Sequence, residues 1–490
     1  MSSVTVATPE SIVGWFSHDL QIGTTKRGSS TGERFDVFNP ADGSVIASVA
    51  SASVEDALAA VALAEVAGPE WAAMPPRQRA EILRRAFDLM TERSDDLARL
   101  IVLENGKSLT DARGEVSYAI EFFRWFSEEA VRLEGSIQTS PSGANRIMVE
   151  HRPIGVCLLI TPWNFPAAMA TRKIGPALAA GCSVILKPAS DTPLTALAIG
   201  ELLAQAGVPD GVVSVIPSRK SGAIASAVLD HPAVRKLSFT GSTEVGRTLL
   251  ERASRTVVNC SMELGGNAPF LVLSDADIAA AVDGAMIAKM RNGGEACTAA
   301  NRFYVHSSVV KEFSASLASR MGSLVVGNGL DESVQLGPLV NDAAVDKVDE
   351  LVTNAVSLGA TVLTGGSRPE RAGSFYSPTV LADVPSGAQI LEEEIFGPVA
   401  PIVSFETDDE AITLANATEF GLVAYVFTRD LARGLSVAER LEAGMVGLNR
   451  GVVSDPAAPF GGVKQSGLGR EGGHEGMLEF TESQYIALGW

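Results

Sequence analysis

An alternation of short apolar runs and amphipathic segments between Val149 and Asn259 constrains the fold of this chain more than any other feature. Val156–Ile160 is apolar at every position, and Met169–Ala180 after it has the residue spacing of a buried helix. The same pairing recurs up to Ala253. Strands that alternate with helices predict a parallel sheet covered by helices on both faces. Such sheets bind ligands at the carboxyl ends of their strands, where we expect the functional residues.

A second alternating region extends from Ala268 to about Leu448 and predicts a second α/β domain. The length of 490 residues exceeds what one hydrophobic core usually supports, which agrees with more than one domain. Segments 134–151 and 476–490 look like strands that belong to neither sheet. Such strands often pair with another subunit. The expected fold class is α/β, with two Rossmann-like parallel-sheet domains and a small β extension.

Charge and cysteine content exclude several classes of protein. The formal net charge of −19 argues against nucleic acid and anionic membrane surfaces as partners. The beginning of the chain has no pattern of a secretory signal, and the longest apolar runs are much shorter than a membrane span. The cysteines are too few and too scattered for a disulfide scaffold or a zinc site, so we expect no metal and a cytoplasmic location. They are Cys157, Cys182, Cys260 and Cys297.

Cys297 lies in the segment RNGGEACTAANR at residues 291–302, where the neighbouring side chains are small or polar. The lack of bulk around the thiol would let a small electrophile approach it. A buried structural cysteine is the commoner role of a lone thiol, and the segment alone favours that interpretation. Other parts of the chain decide between the two.

Polar clusters follow several of the predicted strands. Asn164 can donate a hydrogen bond to an oxygen that becomes negative, or it can serve only as a turn residue. Lys187 can meet a cofactor hydroxyl or phosphate, or it can be a solvated surface lysine. The junction from Phe239 to Gly246 offers backbone amides at a helix start, which suit a phosphate, although glycine also serves ordinary turns there. Its spacing is not the GxGxxG of the common dinucleotide fingerprint.

Two carboxylates are further candidates. Glu263 stands between apolar residues and beside glycines, where a raised pKa would suit a general base, but it can also cap a helix or form a salt bridge. Glu394 can accept hydrogen bonds from ribose hydroxyls, although a run of acids is more often solvated surface. None of these clusters decides the function alone.

Taken together and in this order, the segments resemble the NAD(P)-dependent aldehyde dehydrogenase superfamily. The resemblance extends from Phe38 to Gly472, which is nearly the whole chain. The motifs that carry it are highly specific in combination: TPWNFP (161–166), FTGS (239–242), MELGG (262–266), the cysteine segment (291–302), EEIFGPV (393–399) and PFGGVKQSG (459–467).

The resemblance implies the catalytic roles. Cys297 would be the nucleophile that attacks the aldehyde carbon, and Asn164 with the Cys297 amide would stabilise the oxyanion. Hydride transfer to nicotinamide would leave a thioester, which Glu263 would hydrolyse by activating water. Relatives that pass the acyl group to coenzyme A usually lack this glutamate, so its presence favours the hydrolytic branch. Glu471 is a weaker candidate for an accessory carboxylate.

The resemblance also implies a cofactor site. Strict NAD users in the family commonly have a glutamate at the position of Ser190, where its charge would repel a 2′-phosphate. Serine is neutral and can donate to that phosphate, so we expect NADP to be preferred, with NAD possible. The other cofactor contacts carry over to Trp163, Lys187, Gly241, Ser242, Glu394 and Phe396.

The substrate pocket resembles that of the succinate-semialdehyde branch of the family. Two arginines and a serine hold the distal carboxylate of the substrate there, and the matching positions here are Arg172, Arg291 and Ser454. Two guanidinium groups suit a carboxylate and select against aldehydes that lack it. The arginines can instead pair with structural acids. Glutaric semialdehyde is a second candidate substrate, because the sequence says little about chain length.

Two further expectations concern regulation and the loss of activity. Some relatives carry a second cysteine two residues after the nucleophile, which can form a regulatory disulfide. Ala299 occupies that position here, so we expect no such local switch. A non-catalytic protein that retains the fold is an alternative, but the intact Cys297, Glu263 and Asn164 argue against it.

The resemblance finally implies a domain organisation and a homodimer or homotetramer. The expected units are a cofactor-binding domain (1–133 and 152–261), a catalytic domain (262–448), oligomerisation strands (134–151 and 476–490) and a linking segment beside the substrate pocket (449–475).

Overall fold

The computed structural model of the protein describes residues 9–489. The expected lack of a secretory signal at residues 1–8 and the predicted end of the last strand at Trp490 lie outside that range. The helices are α1 (Pro9–Val13), α2 (Val54–Ala73), α3 (Pro76–Glu92), α4 (Ser94–Asn105), α5 (Leu109–Glu129), α6 (Pro166–Ala180), α7 (Pro193–Gln205), α8 (Ser221–Leu229), α9 (Thr243–Ala253), α10 (Ile278–Met290), α11 (Val310–Gly322), α12 (Asp342–Ser357), α13 (Asp408–Asn416), α14 (Leu431–Ala438) and α15 (Glu475–Leu478).

The strands are β1 (Leu20–Ile22), β2 (Thr25–Arg27), β3 (Arg34–Phe38), β4 (Val45–Ala50), β5 (Ser136–Thr139), β6 (Arg146–Pro153), β7 (Val156–Ile160), β8 (Ser183–Lys187), β9 (Val213–Val215), β10 (Val234–Thr240), β11 (Asn259–Glu263), β12 (Ala268–Val272), β13 (Ala300–His306), β14 (Thr361–Thr364), β15 (Thr379–Ala382), β16 (Val399–Phe405), β17 (Phe420–Gly421), β18 (Val423–Phe427), β19 (Met445–Leu448), β20 (Val463–Lys464), β21 (Gly467–Leu468) and β22 (Thr481–Leu488).

The first sheet has the order β2-β1-β9-β8-β7-β10-β11-β21. Its centre, from β9 to β11, is parallel, as the alternation of strands and helices predicts. β1, β2 and β21 are antiparallel additions at its edges. Leu159 of β7 belongs to one apolar core and its neighbour Leu158 to another. Helices therefore cover both faces of this sheet, which explains why β7 at its centre is apolar at every position.

Helix α6 begins at Pro166, earlier than the predicted Met169. Proline suits the first helical position, because no intrahelical partner is lost with its missing N–H and its φ is already helical. The helix consequently starts directly after the loop that carries Asn164. The chain from Val54 to Glu129 forms the helices α2 to α5, and α3 starts at Pro76, where proline again suits the first helical position.

The second sheet has the order β14-β15-β16-β13-β12-β18-β19. All its pairings are parallel except the one between β14 and β15. The predicted second α/β region is thus present, and the α/β fold class is confirmed.

A third, three-stranded sheet has the order β22-β6-β5 and is antiparallel throughout. It contains the predicted extra strands, which indeed belong to neither large sheet. The prediction for 476–490 was wrong at its beginning, because the chain first forms the short helix α15. Met477 and Phe480 are buried in the core of the first sheet, and a helical turn directs both inward.

No single helix among residues 9–489 is both long enough and apolar enough to span a membrane. α2 and α3 meet the length and hydropathy criteria only as a pair, across a bend of 114°.

Candidate active site

A cleft of about 270 Å³ lies where β7, β10 and β11 end. Loop residues that follow these strands form one wall, and residues from the second α/β region form the other. The position agrees with the rule that parallel sheets bind ligands at their carboxyl ends. The predicted site residues that line this cleft are Trp163, Asn164, Gly241, Ser242, Cys297, Glu394 and Phe396.

Asn164 is held on three sides. Its backbone carbonyl accepts hydrogen bonds from Lys107 Nζ at 2.7 Å and from Asn292 Nδ2 at 2.9 Å. Its side-chain Nδ2 donates to the carbonyl oxygen of Glu295 at 3.0 Å. The side chain is buried, and an amide nitrogen has a second hydrogen to donate. The donor is therefore fixed in place before any substrate arrives.

Lys107 and Glu115 form a buried ion pair beneath Asn164, with Nζ and Oε2 2.5 Å apart. The other carboxylate oxygen of Glu115 accepts from the amide of Ala167 at 2.8 Å, at the start of α6. The ammonium group also lies 4.2 Å from the centre of the Phe165 ring. We call this arrangement the Lys107–Glu115 clamp, and it ties the Asn164 loop to α4, α5 and α6.

The loop that presents Cys297 has an unusual backbone. Asn292, Gly293 and Gly294 have φ values of 55°, 62° and 80°, so three successive residues are left-handed. Glycine adopts this conformation freely, and asparagine tolerates it better than most residues. Asn292 is stabilised there because its side chain donates to the carbonyl of Glu295 at 2.9 Å as well as to Asn164.

Gly266 packs directly against the cysteine loop. A Cβ atom at this position would collide with the carbonyl oxygen of Cys297 and would also touch the side chain of Leu422. The MELGG motif therefore serves two purposes: Glu263 contributes a functional group, and Gly266 leaves room for the backbone of the nucleophile.

The thiol of Cys297 is half-buried at the cleft. Burial raises its pKa to about 12, against the opposing positive charge of Arg172. The free protein therefore holds a neutral thiol at pH 7, and a nearby base has to accept its proton.

Glu263 ends β11, is buried, and has no hydrogen-bond donor to either carboxylate oxygen among the described residues. Burial raises its pKa well above the usual range, and the negative charge of Glu471 raises it further. The negative charge of Glu263 also raises the pKa of the Cys297 thiol. A buried carboxyl with free oxygens and a raised pKa is suited to general-base chemistry.

Glu471 forms ion pairs with both Arg172 and Lys173. Burial would raise the pKa of Glu471, but these two cations outweigh it and lower the pKa. We call Arg172, Lys173, Glu263 and Glu471 the buried charge cluster. One of the two expectations for Arg172 was that it pairs with a structural acid. Glu471 is such an acid.

Arg291 and Ser454 are placed differently from Arg172. The Arg291 guanidinium lies 5.1 Å from the centre of the Phe165 ring, and no carboxylate among residues 11–489 forms an ion pair with it. Its charge acts on Cys297, as that of Arg172 does. Ser454 is half-buried in the loop after β19, without a side-chain hydrogen bond to other described residues. The charges of both arginines therefore act on the thiol, but the Ser454 side chain forms no hydrogen bond with either arginine.

The rings of Trp163 and Phe396 meet edge to face across the cleft, with centroids 5.3 Å apart. Glu394 accepts a hydrogen bond from the amide of Gly266 at 3.1 Å, and burial raises its pKa to about 7. Ser242 is exposed and caps α9, where its hydroxyl accepts from the amide of Val245 at 3.4 Å.

Lys187 and Ser190 lie outside this cleft. Lys187 ends β8 and is buried, which lowers its pKa to about 8 even though Asp191 opposes the shift. Ser190 lines a separate cavity of about 380 Å³. Of the predicted cofactor residues, five line the cleft, Ser190 lines the second cavity, and Lys187 lines neither.

Comparison with known proteins decides the family. The model of the aldehyde dehydrogenase family matches residues 27–486. The chain belongs to the aldehyde dehydrogenase family. It is 57% identical, over 91% of its length and 99% of the relative, to a succinate-semialdehyde dehydrogenase of Paenarthrobacter nicotinovorans. It is 48% identical to a glutarate-semialdehyde dehydrogenase of Pseudomonas aeruginosa, over 94% of this chain and 95% of that one.

A solved structure gives the same result for the fold of this aldehyde dehydrogenase. The crystal structure of an NADP-dependent enzyme of Escherichia coli matches with a TM-score of 0.96 at 48% identity, over 97% of this chain and 98% of that one. The resemblance to aldehyde dehydrogenases stated from the motifs is thereby confirmed.

The sequence reasoning missed the residues that support this aldehyde dehydrogenase site from behind. Lys107 follows a helix end at Gly106 and looks like an exposed turn residue, and Glu115 looks like an ordinary acid on a helix. The only indication in the sequence was that Lys107 and Glu115 both occur in segments otherwise rich in apolar residues. Glu471 was considered, but its ion pair with Arg172 was not.

Proposed function

We propose that this aldehyde dehydrogenase oxidises succinic semialdehyde, or a similar ω-carboxy aldehyde, to the carboxylic acid with NADP. The observation that carries the proposal is that Cys297 and Asn164 line one cleft. The charges of Glu263, Arg172 and Arg291 all act on the Cys297 thiol there. The names of the relatives support the substrate class. Glutaric semialdehyde is the second candidate, because a relative of comparable identity carries that name.

The first chemical step joins the sulfur of Cys297 to the aldehyde carbon. The thiol gives up its proton to Glu263, which has free oxygens, and the carbonyl oxygen becomes negative. The Asn164 amide and the backbone amide of Cys297 donate to that oxygen. Since Asn164 is already fixed by Lys107 and Asn292, little reorganisation is needed when the charge develops.

The residues fit a nicotinamide dinucleotide. The aromatic pair of Trp163 and Phe396, the helix start at Ser242 and the carboxylate of Glu394 offer an apolar slot, backbone amides and a ribose acceptor. The bound dinucleotide supplies a hydride acceptor. Loss of hydride converts the thiohemiacetal on Cys297 into a thioester.

Glu263 first releases to solvent the proton that it took from Cys297. It then completes the reaction by accepting a proton from water, whose oxygen attacks the thioester carbon. The C–S bond breaks, the acid leaves, and Cys297 regains its proton. A carboxylate without hydrogen-bond donors is basic enough for this task because nothing in the protein stabilises its negative charge by hydrogen bonding.

Arg291 is the better candidate of the two arginines for the substrate carboxylate. Arg172 already has Glu471 as an ionic partner, whereas Arg291 has none among the described residues. Charge-assisted hydrogen bonds to a carboxylate would favour ω-carboxy aldehydes over neutral ones. Ser454 remains a proposed third contact.

The test is a matrix of steady-state rates. Succinic semialdehyde, glutaric semialdehyde and butanal are compared, each with NADP and NAD, for the wild type and for Arg291→Gln. We expect Arg291→Gln to lower kcat/KM for the semialdehydes by about tenfold or more, since a charged hydrogen bond is lost. Butanal should be affected little.

The matched control is Arg320→Gln, which removes an exposed arginine paired with Asp283. Equal efficiency of the wild type on butanal and succinic semialdehyde would contradict the substrate class. An absence of any acyl adduct on Cys297 in trapped turnover mixtures would contradict the covalent route.

We also propose that the protein is a cytoplasmic homodimer or homotetramer that associates through the third sheet. The side chains of Ile137 and Tyr485, on β5 and β22, are 68% and 57% exposed, which is unusual for apolar and aromatic residues. Light scattering of the purified protein decides between the two assemblies. The domain roles given above for 1–133 with 152–261, and for 262–448, are part of the same proposal.

A further inference from the structure

The cavity of about 380 Å³ that contains Ser190 also contains an arginine that no motif indicated. Ser190 follows β8 and Arg219 follows β9, and these strands are parallel neighbours in the first sheet. Both residues therefore emerge at the edge of the sheet where a ligand is expected. Arg219 is exposed, so its guanidinium is accessible from solvent.

Uncharged groups hold Arg219 in place, and its positive charge has no ionic partner among the described residues. Its Nη2 donates to the backbone carbonyl of Asp36 at 3.3 Å, and its guanidinium lies 5.4 Å from the centre of the Phe35 ring. No carboxylate among residues 11–489, whose side chains the structure describes, forms an ion pair with it. The adjacent Lys220 differs, because it pairs with Glu33 at 2.5 Å and does not line the cavity. The Arg219 guanidinium is thus held in place and still has N–H groups that can donate to a ligand.

The other charged groups of the cavity are acidic. Burial raises the pKa of Glu104 to about 8, so this carboxyl is largely uncharged at pH 7 while it accepts the amides of Leu194 and Thr195. Asp191 accepts from Asn341 at 3.5 Å, and Asp36 is exposed at the rim. Without Arg219 the wall would be anionic, and a phosphate would be repelled.

We propose that Arg219 and Ser190 together form the site for the 2′-phosphate of NADP. The serine hydroxyl donates one hydrogen bond, and the guanidinium supplies charge and further donors to the phosphate oxygens. The proposal deepens the proposed function, because it rests on the use of NADP by this site. It assigns the discrimination between NADP and NAD chiefly to Arg219, since removing the serine leaves the charge in place.

The experiment measures binding instead of turnover. Dissociation constants of NADP and of NAD are determined by calorimetry for the wild type, for Arg219→Gln and for the neighbouring control Lys220→Gln. We expect Arg219→Gln to weaken NADP binding about tenfold or more, because a charge-assisted hydrogen bond is lost, and to leave NAD binding nearly unchanged. Lys220→Gln should change neither constant appreciably.

The outcomes separate the two proposals. If the wild type binds NADP more tightly than NAD and Arg219→Gln keeps that ratio, Arg219 is not the phosphate ligand, although the proposed cofactor preference stands. If the wild type binds NAD as tightly as NADP, both the proposed preference and the phosphate site are overturned. A loss of NADP affinity in Lys220→Gln as large as in Arg219→Gln would indicate a general charge effect and would also overturn the assignment.

Discussion

The site contains two groups of buried charges, which differ in how completely their charged atoms are hydrogen-bonded or ion-paired. In the Lys107–Glu115 clamp every charged atom has a partner: an ion pair, two backbone amides of α6 and the carbonyl of Asn164. In the buried charge cluster, Glu471 is paired with two cations, while both oxygens of Glu263 lack a donor.

The difference teaches what each group can do. A fully satisfied buried pair has no free capacity for protons or ligands, and its geometry is fixed, so the clamp positions Asn164. A buried carboxylate without donors costs free energy and has a raised pKa, which is useful only where a proton must be accepted. The clamp therefore supports the site, and Glu263 takes part in the chemistry.

The strongest test of this contrast is Glu263→Gln. Without this base, thioester hydrolysis should slow by about 10²–10⁴-fold. The first turnover should still release reduced cofactor, although more slowly, because the Cys297 thiol also loses its proton acceptor. Stopped-flow absorbance measures the burst, and mass spectrometry of the intact protein detects acylated Cys297. Glu129→Gln, at a buried glutamate paired with Arg132, is the control and should turn over normally. Rapid steady turnover by Glu263→Gln would refute the role of this residue.

The clamp is tested by Lys107→Met. Removing one partner of a buried pair leaves Glu115 uncompensated, which should lower the free energy of unfolding by about 3–5 kcal/mol, measured with urea. The burst should also become slower, because Asn164 loses a support.

Lys236→Met is the matched control for the clamp. Lys236 is also buried, and it donates to Asn259, Ser261 and Glu479 at the other end of the sheet. Lys236→Met should lower the free energy of unfolding but leave the rate of the burst unchanged. If the two variants had the same burst rate, the clamp would be a stabilising pair without a positioning role.

The smallest expected effect concerns pH. The charge of Glu471 raises the pKa of Glu263, so Glu471→Gln should lower that pKa and keep the base ionised at lower pH. The pH profile of thioester hydrolysis should move toward acid by about one unit, the scale of a nearby like charge. An unchanged profile, or a shift toward alkaline pH, would mean that Glu471 does not act on Glu263.

The residues that follow strands were accessible from the sequence, because the carboxyl ends of parallel strands meet at one edge. Asn164, Ser242 and Glu263 could be expected near each other for this reason, and the motifs then suggested their roles. The family and the α/β fold followed from the same segments.

Hydrogen bonds between residues that are far apart in the sequence could not be predicted in this way. Asn164 donates to Glu295, which is 131 positions away, and its carbonyl accepts from Lys107 in the loop between α4 and α5. Contacts of this kind depend on how the two α/β regions pack, and no local pattern encodes them. The same holds for Arg219, whose significance depends on a cavity shared with Ser190.

The missing side chain at Gly266 limits how this enzyme can be redesigned. Because the carbonyl of Cys297 rests against that position, the nucleophile cannot retreat to admit a bulkier aldehyde. Engineering for larger substrates would have to begin on the opposite wall of the cleft, at side chains such as Met169, and leave the glycine untouched.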